Sequence, residues 1–277
     1  GIYNVVERMD KVFLASYFPQ YGENWDVIKT RNDLLDGDMK AWSATIDFFR
    51  RNRRNLNDEE LYRQAASLID IEDFTAYVIL NIWSQNHDWP HNNWYMARPR
   101  VPDGRWIFLV WDAEFGIGRN PQGFSADTLS HVLGRADSPL GTILDALLSS
   151  EKYRSYFWEK TQEFLDTVLS PENVIEHIRE LHDLLAPDMP RELALVGRSM
   201  TLWERNVQAL QTFALRRPDV VRSFIARNPR FGFPSITNIY PTRVALSGRT
   251  TVKVRGYNFV GIKEVSFNGI SSPAVEV

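Results

Sequence analysis

The sequence predicts an α+β chain: a large, mainly helical domain that carries one β-hairpin, followed by the start of a β-sandwich. Three observations lead there. Helical apolar spacing with cap residues recurs over most of residues 10–228. Runs rich in aromatic and β-branched residues stand at 93–98 and 105–111. At Asn228-Pro229-Arg230-Phe231-Gly232-Phe233-Pro234 the composition shifts to that of a linker. With 44% hydrophobic and 13% aromatic residues in 277, the chain can bury a substantial core and is not disordered. The expected division is 1–230 and 235–277.

Composition also narrows the function. A net charge of −3 gives no bulk attraction to nucleic acid or to an acidic membrane surface, so any activity must come from local sites. No apolar run reaches the roughly 18 residues of a membrane span. The absence of cysteine excludes disulfides, thiolate metal sites and cysteine nucleophiles. The start at Gly1-Ile2-Tyr3 reads as neither a signal peptide nor a natural first residue, so the chain is expected to be an excised fragment.

In chain order, residues 1–7 alternate like a short strand and 10–18 have helical spacing, ended by Pro19 and Gly22. Residues 24–29 read as a loop. Its Lys29, behind an apolar pair, could reach a phosphate, though a solvated lysine is the plainer reading. The run Arg50-Arg51-Asn52-Arg53-Arg54 reads as a solvated face at a helix end, where it complements the dipole. Asn57 with Glu60, and Asp70 with Asp73, look like capping boxes opening helices at 59–68 and 74–83. The second helix is apolar on nearly every side and is therefore expected to be buried.

That buried helix leads into His87-Asp88-Trp89-Pro90-His91-Asn92-Asn93. The hairpin follows, with its turn at Val101-Pro102-Asp103-Gly104, and then Trp111-Asp112-Ala113-Glu114-Phe115-Gly116. If the turn centres near 102–104, residues 93 and 95 lie roughly opposite 112, so Asn93 and Asp112 become neighbours with Asp88 just before them. Acids held close are costly unless a cation lies between them, and Asp and Asn oxygens suit a hard ion such as Mg²⁺. Kinase-type phosphoryl-transfer enzymes use a catalytic Asp, a metal-holding Asn five residues on, a hairpin, and a metal-holding Asp before Phe-Gly. Asp88, Asn93 and Asp112 follow that order, with two residues between Asp112 and Phe115 and no Arg between His87 and Asp88. Taken singly, each residue could be an ordinary cap or turn residue. Pro90 keeps His87 and His91 off a common helical face, which argues against a zinc pair, and His177 and His182 read as surface residues.

Beyond residue 138 the pattern is helical. Ser138-Pro139 and Ser170-Pro171-Glu172 are start signals, and long helices are expected over 151–169 and 190–216, with Pro218 restarting a last one to about 227. The aromatic stripe here reads as core. After the linker, residues 235–241, 250–259 and 265–269 alternate like strands.

Taken in order, these residues resemble the spore-coat CotH kinase family, atypical protein kinases of secreted or surface proteins. The likeness rests on Gly1-Ile2-Tyr3 with Glu7, Asp10 and Phe13-Leu14; on residues 77–81 leading to Asn86, Asp88 and His91-Asn92-Asn93-Trp94-Tyr95; and on Trp111-Asp112-Ala113-Glu114-Phe115-Gly116. It covers about residues 1–230. The resemblance implies a mainly helical kinase-like C-terminal lobe with the hairpin at its active site, using ATP with Mg²⁺ or Mn²⁺. It implies Asp88 as the catalytic acid, Asn93 and Asp112 as metal ligands, Glu114 as a further acidic ligand, and Glu7 with Asp10 on the cofactor side. The family's N-terminal lobe would precede Gly1, so residues 1–277 alone are expected not to phosphorylate a protein. Ser247-Gly248, Gly256-Tyr257-Asn258-Phe259 and Phe267-Asn268-Gly269 resemble the first half of an IPT/TIG immunoglobulin-like domain, and that association implies an extracellular or cell-surface location. The expected function is transfer of the ATP γ-phosphoryl group to Ser/Thr hydroxyls of a protein substrate. The alternative is a decayed kinase-like surface module that binds a partner or glycan.

Overall fold

The computed structural model describes residues 6–30, 33–119, 123–232, 235–243, 250–257, 265–267 and 270–271. Helices and small antiparallel sheets make up the chain, as the α+β expectation requires. It divides into two compact units, Gly1–Arg222 and Ser223–Val277.

In the first unit, helix α1 (Lys11–Tyr17) opens on Asp10, whose carboxylate accepts from Val12 N at 2.9 Å and Phe13 N at 3.2 Å. The expected strand over residues 1–7 falls partly outside the described residues, and residues 6–9 have no regular structure. Residues 24–29 are not a loop: Trp25–Lys29 forms β1, which pairs with β2 (Asp33–Asp36) and with β3 (Trp94–Pro99); β3 in turn pairs with β4 (Ile107–Val110). The sheet order is β2-β1-β3-β4, antiparallel throughout. Strand β1 is covered on both faces, so the alternation that marks a strand is lost. Its Asp26 is 2% exposed and is held by Arg98 at 3.5 Å, Arg100 at 3.1 Å and the amide of Asp38 at 2.9 Å. Leu14 of α1 packs on one face with Trp25, Val27, Tyr95 and Ala97.

Helix α2 (Lys40–Arg51) buries Trp42, Thr45, Ile46 and Phe49 at helical spacing. Just beyond it, Arg53 and Arg54 meet the buried carboxylate of Asp145, so this end of the arginine run is an anchor and not a solvated face. Helix α3 (Glu59–Leu68) is capped by Asp58, one residue later than expected. Asn57 is diverted to the start of another helix, where it accepts from Glu151 N at 3.1 Å. The next helix, α4 (Ile71–Ser84), buries Phe74, Thr75, Tyr77, Val78, Ile79, Asn81, Ile82, Trp83 and Ser84, as its all-round apolar character predicts. Asp70 caps it, but Asp73 does not reach back to form a capping box. The Asp73 carboxylate accepts from Phe108 N on β4 at 2.6 Å, and burial raises its pKa to about 6.

Hairpin register differs from the sequence estimate. Trp94 pairs with Val110 and Tyr95 with Leu109, not with 112. The connection is wider than a tight turn: Arg98 donates to the carbonyls of Gly104 and Val101, and Trp106 leaves the hairpin to bridge Ile69. The indoles of Trp106 and Trp89 are fully buried, the first edge-on to Trp42 and the second edge-on to Tyr77.

The remaining helices are α5 (Thr128–Leu133), α6 (Pro139–Leu147), α7 (Glu151–Asp166), α8 (Pro171–Leu185), α9 (Met189–Leu195) and α10 (Met200–Arg227). Ser138 and Ser170 cap α6 and α8, each with proline in the first turn, as predicted. The expected long helix from 190 is two helices, because Gly197 takes a positive φ of 65° after α9. The break expected at Pro218 does not occur, and α10 continues through it. Buried Phe213, Ala214, Arg217 and Val221 hold both sides of the proline against the unit. That packing outweighs the loss of about 3 kcal/mol that proline brings to a helix interior.

In the second unit, β5 (Ser235–Tyr240) pairs antiparallel with β6 (Lys253–Tyr257), with an irregularity between Ile236 and Asn238. A two-residue pair, β7 (Ser266–Phe267) and β8 (Ile270–Ser271), follows. Ser247-Gly248, Asn258, Phe259, Asn268 and Gly269, used in the immunoglobulin-like resemblance, lie outside the described residues. No helix among the described residues is long and apolar enough to cross a membrane.

Candidate active site

The site begins where α4 ends. Gln85 takes a left-handed conformation, φ 61°, and its N–H bonds back to α4, a termination more often made by glycine. A short amide relay then fixes the exit of the chain: Asn81 Nδ2 donates to Tyr77 O at 2.9 Å, and Asn86 Nδ2 to Asn81 Oδ1 at 2.9 Å. Asn86 and Trp89 are both fully buried, so the exposed His87 and half-buried Asp88 are held up between two anchors. Asn92 N donates to Asp88 O at 2.7 Å and closes the turn, and the Trp94 indole donates to Pro90 O at 3.1 Å.

Asn93 sits at φ 57° and Asp112 at φ 51°, both left-handed, on the two sides of the hairpin mouth. For non-glycine residues this conformation is uncommon, and Asn and Asp are among those that tolerate it best. Asn93 Nδ2 reaches the Asp112 carbonyl at 2.9 Å and Asp88 Oδ2 at 3.5 Å. One amide therefore touches both acidic segments, which puts Asn93 beside Asp88 and the Asp112 backbone even though the hairpin register differs from the expected one. After Asp112 a short 3₁₀ turn, Ala113–Phe115, is pinned to the end of α4. Ile117 N donates to Ser84 O at 2.5 Å, and a Cβ on Gly116 would stand 2.8 Å from the same oxygen, so only glycine fits there without displacing backbone.

The other expected site residues lie elsewhere. Glu114 is exposed in the 3₁₀ turn, where its backbone carbonyl receives Arg119 at 3.4 Å. Among the described residues no three acidic or imidazole side chains gather to hold a metal ion, so Glu114 does not complete a cluster with Asp88 and Asp112. Asp10 is occupied as the cap of α1, and Glu7 accepts from Tyr17 OH at 3.1 Å. Both serve α1. Lys29 ends β1 with its Nζ 5.6 Å from the centre of the Tyr95 ring. Thr30, next to it, exchanges hydrogen bonds with the backbone of Trp94, which places Lys29 at the same end of the sheet as Asn93.

One neighbour was not foreseen. The ring of His131, on α5, lies 5.4 Å from that of His87 and 6.3 Å from that of His91. Burial, then Arg135 and the two other imidazoles, push its pKa below the ordinary value. Forty residues separate it from the motif, so no local pattern announces it. His182 lies at the surface, as expected, where it stacks on Trp203 at 4.6 Å between Asp183 and Glu204.

The side chains of Asp88, Asn93 and Asp112 carry oxygens of the kind Mg²⁺ or Mn²⁺ takes, but as placed the Asn93 amide turns its N–H to both acidic segments.

The class is that of kinase-like proteins: a model of the family described as CotH kinase protein matches residues 1–221, most of the chain. The chain belongs to the CotH kinase protein family, whose members are kinase-like phosphotransferases. No curated protein matches it.

Proposed function

We propose that residues 1–230 form the C-terminal lobe of a secreted or surface protein kinase that transfers the γ-phosphoryl group of ATP to Ser/Thr hydroxyls. The observation that supports this reading is that Asn93 lies beside Asp88 and the backbone of Asp112 at the mouth of a hairpin held by a buried helix. Asp88, raised between Asn86 and Trp89, is suited to orient the acceptor hydroxyl and take its proton as oxygen bonds to phosphorus and ADP leaves. Asn93 and Asp112 would hold the divalent ion, with the Asn93 amide turned over to present Oδ1. When bound, that ion neutralises charge on the phosphates. Lys29, at the same end of the sheet, would be a nearby cation to meet a phosphate. Residues 235–277 are proposed as the start of an IPT/TIG domain, a module that contacts surface partners or glycans. Supporting this are the antiparallel pairing of β5 with β6 and the Gly256-Tyr257 segment.

Titration calorimetry tests the metal assignment. Asp112→Asn removes a charge at an exposed turn, so it should leave the fold intact and weaken Mn²⁺ binding about tenfold, which corresponds to 1.4 kcal/mol. Equal Mn²⁺ affinity in the two proteins would sink the assignment.

A further inference from the structure

Arg217 lies on α10, far in sequence from the hairpin, yet it is fully buried. Its guanidinium donates to four backbone carbonyls: Ile82 O at 2.6 Å, Trp83 O at 2.9 Å, Phe124 O at 2.7 Å and Ala126 O at 2.9 Å. Two of these belong to the last turn of α4, which leads to Asp88. The other two, Phe124 and Ala126, belong to the stretch that leads into α5. Helix-end carbonyls lack intrahelical partners, and a planar, forked cation can serve several at once. Burial lowers the guanidinium pKa to about 9, still protonated at neutral pH, and the charge of Asp127 favours that form.

Two smaller ties reach the same end of α4. Gln85 Nε2 donates to Gly123 O, and Ile117 N to Ser84 O. Both ties run between the stretches themselves, so they move with them. Arg217 comes from a third element and fixes both to the helical body.

We propose that Arg217 is a positioning residue, a cross-link that holds the end of α4, which carries Asp88 and receives Ile117, together with the stretch before α5 against the helical body. Its functional weight rests on the metal-binding reading above, whereas the coupling itself does not. Without the cross-link the direct ties still join the two stretches, but neither is held to the helical body, and the end of α4 that carries Asp88 is less firmly placed.

Arg217→Lys tests this while keeping a cation that can serve some, but not all, of the four carbonyls. Amide hydrogen exchange should accelerate at least fivefold together at Asn86, Asn92 and Ile117, while the β1–β3 ladder exchanges as before. Mn²⁺ affinity should fall several-fold, and further in Arg217→Met if that variant folds. Exchange that stays unchanged at these amides, or rises at only some of them, would overturn the coupling. If Asp112→Asn loses Mn²⁺ but Arg217→Lys binds it as the parent does, the positioning role fails and the metal reading stands. If the parent binds no Mn²⁺, the metal reading fails, and the exchange data decide the coupling by themselves.

Discussion

Replacing Asp73 by asparagine is expected to stabilise the folded chain at neutral pH, and by less as the pH falls. The carboxyl is partly buried between α4 and β4, with a folded pKa near 6 against an ordinary 3.8. Because the folded value is the higher one, the folded state holds more protons between these limits. The contribution of protonated Asp73 is complete below about pH 4 and is lost as the pH rises through 6. The difference of about 2.2 units corresponds to about 3 kcal/mol at 1.36 kcal/mol per unit, or nearer 2 once partial exposure is allowed for. One effect opposes the gain: a carboxylate in the first turn of α4 is favoured by the helix dipole, by about 0.3–1 kcal/mol. Asparagine can still accept from Phe108 N, so that bond survives. A net gain of about 1–2 kcal/mol at pH 7, shrinking to nothing or a small loss near pH 4, is the expected outcome. Denaturant unfolding of both proteins across this range, followed by tryptophan fluorescence, measures it. A variant less stable than the parent at pH 7, or a difference that does not change with pH, would refute the reasoning.

The fully buried indole of Trp89 carries the residue next to Asp88, so Trp89→Ala should cost about 3–5 kcal/mol in chemical denaturation. Trp89→Phe, which leaves most of the ring volume, should cost much less, and equal losses would show that the indole is not an anchor. Gly116→Ala forces a methyl against Ser84 O and should cost about 1–3 kcal/mol. Exchange at the Ile117 amide should quicken with it, and an Ala variant as stable as the parent with an unchanged Ile117 amide would show that the loop has room to spare.

What was legible in the sequence depended on the distance over which a pattern had to act. Helix α4 announces its burial because apolar residues occupy all its sides, and Asn93 is brought beside Asp88 and the Asp112 backbone by a single hairpin, a local device. The register was less legible because Trp106 is drawn out of the hairpin by a bridge to Ile69, 37 positions earlier. In the sequence strand β1 resembles a loop because Asp26 breaks its apolar run, and the arginines that make that carboxylate tolerable stand at 98 and 100. Pro218 looked like a helix break because the proline rule is local, while the packing that overrides it is tertiary. His131 and Arg217 reach the site from α5 and α10. Each is one ordinary residue in an amphipathic helix until the fold gives it a place.

The brace around Asp26 differs in kind from the aromatic packing beneath α4. Surface pairs such as Arg63 with Glu60 weaken as ions crowd the solvent, but a carboxylate 2% exposed is largely sheltered from that screening. Desolvating such a group also becomes less costly on warming. Strong brine or moderate heat should therefore loosen the periphery of the first unit well before β1 parts from β3, and the strand that begins beside Asn93 would hold its line after the outer helices had begun to fray.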